Sequence, residues 1–179
     1  MLNQTRSYGI EIEAKLPRGI THDMLAKAIR LSGVTAHSES YHHRTVAHWK
    51  ITTDASLGSY ATGVELVSPI LYGDAGLADL KIVLRVCNDL GLTVDRACGI
   101  HIHHGVAELS LKAVKNVCAL YAKYEAQIDK IMPESRRANN NQYCRSINTV
   151  SPEHTMKKIG EARDMHGVRD AVNNGTRYR

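Results

Sequence analysis

At 179 residues, with 43% apolar and 23% charged side chains, the chain has the composition of a folded globular protein with a core of its own, which excludes a disordered or low-complexity polypeptide. Aromatic residues make up 5% and Phe is absent, so few rings remain for stacking on single-stranded nucleic acid. The 23 basic and 18 acidic residues leave a charge of +5 spread along the sequence, a balance that suits a local anion site better than a nucleic-acid surface, which stays the weaker alternative.

No apolar run approaches the roughly 18 to 20 residues of a membrane helix, and Met1 to Ser7 lacks the apolar core of a signal peptide. The expectation is a cytoplasmic protein with no membrane contact. The four cysteines, Cys87, Cys98, Cys118 and Cys144, form no C-x-x-C pair and read as reduced thiols, with Cys87 and Cys118 packed as small hydrophobes.

From Arg6 to Leu16 the chain alternates, Ile10 and Ile12 against Gly9, Glu11 and Glu13, which predicts a half-buried strand ended by Pro17-Arg18-Gly19. Thr21 then caps a helix bearing Met24, Leu25, Ala28 and Ile29, with Gly33 as its stop. A polar, His-rich stretch covers His37 to Arg44. Strand patterns return at Val46 to Thr53 and at Gly63 to Pro69, joined by Asp54-Ala55-Ser56-Leu57-Gly58 as a hairpin or meander. Asp74 is expected to cap a helix with Leu77, Leu80, Leu84 and Cys87 on its buried stripe, closed by Gly91. A short strand follows from Gly99 to Gly105. Ser110 opens the longest helix, striped by Val114, Val117, Tyr121, Tyr124, Ile128 and Ile131 and ended by Pro133, and Ser151-Pro152 starts a more polar one. With no repeat or linker, residues 1–179 read as a single α+β domain, a mainly antiparallel sheet backed by helices.

Glu11 and Glu13 sit two apart on a strand, so their side chains share a face with Cα atoms roughly 6.5 to 7 Å apart. Such a pair can hold a divalent cation, and it can also be a solvated strand face. Glu65 lies in the apolar strand Val64-Glu65-Leu66; if it converges on the pair, three carboxylates need cations to coexist, and oxygen ligands favour Mg²⁺ or Mn²⁺ over zinc. His101 and His103 share one strand face beside Gly99 and Gly105, suited to a metal or to phosphate oxygens. No four-ligand zinc set is apparent among His37, His42, His43 and His48. Arg136 and Arg137 follow the long helix and precede an amide-rich run, Asn139 to Gln142, suited to phosphate or carboxylate and equally to a solvated helix end. Asp54 and Ser56 are candidate substrate contacts, though both are ordinary turn residues.

Taken in order, Gly9-Ile10-Glu11-Ile12-Glu13, Trp49-Lys50 to Asp54-Ala55-Ser56-Leu57, Glu65-Leu66-Val67-Ser68-Pro69, Cys98-Gly99-Ile100-His101-Ile102-His103, and Arg136-Arg137 with Tyr143-Cys144 resemble the amidoligase family, relatives of glutamine synthetase and glutamate-cysteine ligase. The resemblance runs from Tyr8 to Arg179. It implies an antiparallel sheet cradling ATP and Mg²⁺, and ATP-dependent joining of an amino-acid or peptide carboxylate to an amine through an acyl phosphate. By motif, it implies Glu11, Glu13 and Glu65 as metal ligands and Glu11, Glu13 and Arg136 as catalytic residues. His101, His103, Arg136 and Arg179 would serve the nucleotide. The family usually continues beyond a Tyr-Arg element like Tyr178-Arg179 into a strand with a Glu-x-Arg pair. The expectation is therefore an incomplete site whose open sheet edge draws a second copy or another partner, and the alternative is a catalytically inactive binding protein of the same fold.

Overall fold

The structure, a computed structural model, describes residues 4–57, 62–137 and 144–173. These fold as α+β, with six strands in one mixed sheet and five α-helices among the described residues. The chain divides into two compact units, Met1–Gly105 and Val106–Arg179. Among the described residues, no helix is long and apolar enough to cross a membrane.

The first unit is built around β1 (Ser7–Lys15). Its predicted alternation holds: Ile10 and Ala14 enter the core while Glu11 and Glu13 take the other face. Ile12 pairs with Leu66 of β4 (Gly63–Val67) and with Ile100 of β6 (Ile100–His104), both antiparallel, so β1 lies between those strands. At its start, Ser7 and Tyr8 also pair with β5 (Leu71–Tyr72). Beyond β4 come β3 (Trp49–Thr52), antiparallel, and β2 (Ala36–Ser38), parallel to β3. Two expectations change here. The strand foreseen from Val46 begins only at Trp49, and the His-rich stretch opens with β2, three residues too short to show a period.

Two helices cover the Ile face of the sheet. Helix α1 (His22–Leu31) starts as expected, Met24 N–H donating to Thr21 Oγ1 at 3.2 Å, and Gly33 follows with a left-handed φ of 94°. Leu25, Ala26 and Ile29 are buried, while Met24, expected inside, is exposed. Helix α2 (Gly73–Asp89) departs further: its N-cap is Tyr72, without a side-chain cap, and Asp74 instead accepts from Gln4 Nε2 at 3.0 Å. Its buried positions are Gly73, Gly76, Val83 and Val86; of the expected stripe Leu80 and Cys87 pack against the core, half-buried, and Leu84 faces solvent. Gly76 sets this rotation. A Cβ there would stand 2.7 Å from both Leu71 Cβ and the Tyr8 hydroxyl, so the helix rests its glycine on the sheet and turns Leu84 outward. Trp49, Ile51, Val64 and Leu66 complete the core, each burial contributing about 1.5–3 kcal/mol.

The second unit contains α3 (Leu111–Asp129), a single 3₁₀ turn at Glu134–Arg136, α4 (Pro152–Glu161) and α5 (Met165–Asn173). The expected caps form: Ala113 N–H donates to Ser110 Oγ and His154 N–H to Ser151 Oγ, each at 3.2 Å. The expected stripe of α3 is not the buried one. Val117, Tyr121 and Tyr124 are exposed, and the packed face carries Cys118, Ala119, Ala122 and Glu125, against Ile147, Ile159 and Ala171. Polar anchoring overrides the apolar pattern. Glu125 accepts from Ser146 Oγ (2.5 Å), Ile147 N–H (2.9 Å) and Asn148 Nδ2 (2.9 Å), and Lys115 Nζ donates to the final carbonyls of α4 at Gly160 (2.6 Å) and Ala162 (2.7 Å).

Candidate functional site

The sheet face opposite α1 and α2 carries the polar members of each strand. Strand pairing aligns them in rungs: Glu13 lies across from Glu65, and Glu65 across from Thr52; Glu11 lies across from His101, and His103 across from Gly9. The 3₁₀ turn Ala55–Leu57 brings Asp54 in beside them. Carboxylate oxygens of Glu13, Asp54 and Glu65 all lie within 4.8 Å of one another. Glu13 and Glu65 are buried and Asp54 half-buried.

Each carboxylate is held differently. Glu13 Oε2 accepts the Gly99 N–H at 2.6 Å, and a Cβ on Gly99 would sit only 3.2 Å from that oxygen, so glycine permits the approach. Asp54 Oδ1 accepts the Ser56 N–H at 2.5 Å, closing the turn, and Lys15 Nζ clamps the same turn at the Leu57 carbonyl, also at 2.5 Å. Glu11 Oε2 accepts from His101 Nδ1 at 2.8 Å, and His103 Nε2 stands 3.4 Å from Oε1. These imidazoles hold Glu11 below the usual carboxylate range, and Glu11 in turn raises His101. Glu65 goes the other way, pushed up to about 7 by burial first and then by repulsion from Glu11, Asp54 and Glu13.

Three hard oxygen donors gathered in a partly desolvated spot repel one another unless a proton or a cation intervenes. An all-carboxylate set with no thiol fits Mg²⁺ or Mn²⁺. Glu13 and Glu65 thus share one face, as the sequence suggested, Asp54 lies with them, and Glu11, whose charge also raises Glu65, is bonded to His101. A groove of about 580 Å³ in the same unit, lined among others by Val46, Ile70, Tyr72 and Asp79, does not include the carboxylates.

Compared with known protein families, residues 4–179 match the family described as "Putative amidoligase enzyme". The chain belongs to the amidoligase family. Membership indicates a ligase-type function. Neither the curated proteins nor the solved structures yielded a match.

The remaining expected site residues of this amidoligase are placed as follows. Ser56 is exposed on the turn beside Asp54. Arg136 closes the 3₁₀ turn of the second unit, where Arg137 Nη1 donates to the Asp129 carbonyl at 3.3 Å. Arg179 lies outside the described residues, as do Asn139 to Tyr143. Three groups on the first unit escaped the sequence reading. Lys50 and Thr52 are buried on β3, and Glu39 accepts from His42 Nε2 (2.7 Å) and His48 Nε2 (2.5 Å), pinning the segment between β2 and β3. The same segment holds Tyr41, whose hydroxyl is raised by burial and then by the charges of Glu65, Asp54 and Glu11. Period-2 alternation from Trp49 could have flagged Lys50 and Thr52; nothing local marks Glu39.

Proposed function

We propose that this amidoligase joins a carboxylate to an amine using ATP, through an acyl phosphate, on the sheet face that carries Glu13, Asp54 and Glu65. The observation that carries the reading is the mutual approach of those three carboxylates within 4.8 Å, together with family membership. A carboxylate is a poor electrophile, so an oxygen of the acid substrate first attacks the terminal phosphorus of ATP and ADP departs. The amine then displaces inorganic phosphate from the acyl phosphate, losing a proton. When bound, Mg²⁺ or Mn²⁺ supplies the positive charge that offsets the transferring phosphoryl oxygens.

The chain's own residues divide the remaining work. Glu13, Asp54 and Glu65 are the ligands for the cation. Glu11 orients His101 and keeps it cationic to higher pH, adding positive field beside the phosphates. The sheet serves as a cradle in the manner of glutamine synthetase and glutamate-cysteine ligase, with Arg136 as a phosphate or carboxylate contact and amino acids or peptides as substrates.

The test is acyl-phosphate trapping. Purified chain with Mg²⁺-ATP, mixed amino acids and hydroxylamine should yield hydroxamate and ADP in step, and Glu13→Gln or Asp54→Asn should lower both about 100-fold or more, in line with loss of electrostatic groups at a reacting centre. Wild-type protein that gives neither product across the panel refutes the ligase reading. Unchanged Mn²⁺ affinity in both variants, followed by electron paramagnetic resonance, refutes the metal assignment.

A further inference from the structure

We propose that Lys50 and Thr52, two residues apart on β3, form an oxyanion-binding wall beside the carboxylates of Glu13, Asp54 and Glu65. Trp49 and Ile51 point into the core, so alternation gives Lys50 and Thr52 to the opposite, carboxylate-bearing face. Both are nearly inaccessible, 5% and 1% exposed. Thr52 is the direct cross-strand partner of Glu65, and Lys50 that of Val67, which itself pairs with Glu11.

Neither side chain is satisfied by what surrounds it. The Lys50 ammonium has three donors and uses one, to the His42 carbonyl at 2.6 Å. Among the described residues no carboxylate oxygen lies within 4.0 Å of it. Among the described residues, the Thr52 hydroxyl has no hydrogen-bond partner. A buried ammonium is costly unless its charge is matched, and so is an orphaned buried hydroxyl. Methionine and valine would fill these volumes without either deficit. Two unmet donors on consecutive same-face positions mark a place that a ligand completes.

The donor chemistry sets the class of ligand. An ammonium offers charge and donors but no acceptor, and the hydroxyl adds a neutral donor; the complement is an oxyanion, either a phosphate or a carboxylate. A bare anion would be repelled by the neighbouring acids, so the oxyanion binds together with a divalent cation. That dependence is the only part that rests on the metal reading above. In the ligase scheme, Lys50 and Thr52 are positioning residues for one oxygen-rich reactant.

The test is calorimetry on the full chain with two probes, inorganic pyrophosphate and acetate, each with Mg²⁺, on wild type, Lys50→Met, Lys50→Arg and Thr52→Val. Lys50→Met should weaken one probe about tenfold or more, equivalent to ~1.4 kcal/mol, and Thr52→Val should weaken the same probe about threefold. Lys50→Arg should keep most of the affinity. Mn²⁺ binding without anion should stay equal or tighten in Lys50→Met, since a like charge has gone. Selective loss of pyrophosphate assigns a phosphate, and selective loss of acetate a carboxylate; either supports the wall. Equal binding of both probes by all four proteins, or no binding by wild type, overturns it and leaves Lys50 as a strut for the His42 segment. Should Lys50→Met fail to fold, Thr52→Val decides: unchanged affinity refutes the proposal. Anion binding that persists where Mn²⁺ binding is absent would refute the metal reading and leave the wall standing.

Discussion

Glu65→Gln should make the protein more stable at neutral pH and less able to hold a cation. Glu65 rises from 4.5 to about 7 because it is buried among Glu11, Asp54 and Glu13. Between those values the folded chain keeps a proton that the unfolded chain has released, so this residue's contribution to stability falls as pH climbs from about 4.5 to about 7 and is lowest above. At 1.36 kcal/mol per pH unit the full rise corresponds to roughly 3 kcal/mol, and solvent screening at the open face reduces the usable part to about 1–2 kcal/mol. Glutamine stays neutral throughout. Its advantage should be near zero at pH 4.5 and complete above pH 7.5, a gain of roughly 4–10 °C in melting temperature for a unit of this size. Thermal unfolding of both proteins across that range, with and without millimolar Mn²⁺, provides the measurement; Mn²⁺ should stabilise wild type and leave the variant unmoved. A variant less stable than wild type at pH 8, or a gain equal at pH 5 and pH 8, would refute the reasoning.

Other substitutions probe the framework. Glu125→Ala strips three neutral donors of their shared acceptor and, at about 1–3 kcal/mol for each donor left buried and unmet, should cost roughly 3 kcal/mol or more, seen as loss of helical circular dichroism at lower denaturant. Lys115→Met frees the terminal carbonyls of α4 at Gly160 and Ala162 and should cost about 1–2 kcal/mol by the same measurement. In NMR titration, His101 should ionise above the ordinary 6.5 because of its bond to Glu11, and Glu11→Gln should lower it. The stability this pair supplies is fully present between about pH 4.5 and 6.5, lost as pH rises through the raised His101 value and lost again as pH falls through the lowered Glu11 value; being largely exposed, it is worth less than about 1 kcal/mol.

The sequence told most where its signals were local. Thr21, Ser110 and Ser151 cap their helices because a hydroxyl two or three residues from a free N–H needs no tertiary partner. Alternation placed Glu11 and Glu13 on one face for the same reason, whereas Glu65 joins them through the pairing of β1 with β4. Where distant partners decide, local pattern misled. Helix α3 packs by the face that bears Glu125 and Lys115, whose partners lie about 20 to 45 positions away, and α2 rotates about Gly76, a residue whose role depends on Leu71 and Tyr8. Asp54 was read as a turn residue that meets substrate; its place beside Glu13 and Glu65 follows from a turn clamped by Lys15, a bond across 42 positions that no window of sequence displays.

The central position of β1 has an evolutionary consequence. In one nine-residue segment Ile10, Ile12 and Ala14 face the core and the residues between them, Glu11 and Glu13, are acids of the opposite face. A single insertion or deletion there would send Glu11 and Glu13 inward and Ile10 and Ala14 to water, so folding and chemistry fail together and no intermediate variant survives to be selected. Asp54 stands on a turn, where its structural part is a single local bond from the Ser56 N–H. Descendants of this chain can therefore exchange or discard that one acid, and with it change the ion they hold, at small cost to the fold, while the strand that carries the other acids stays fixed.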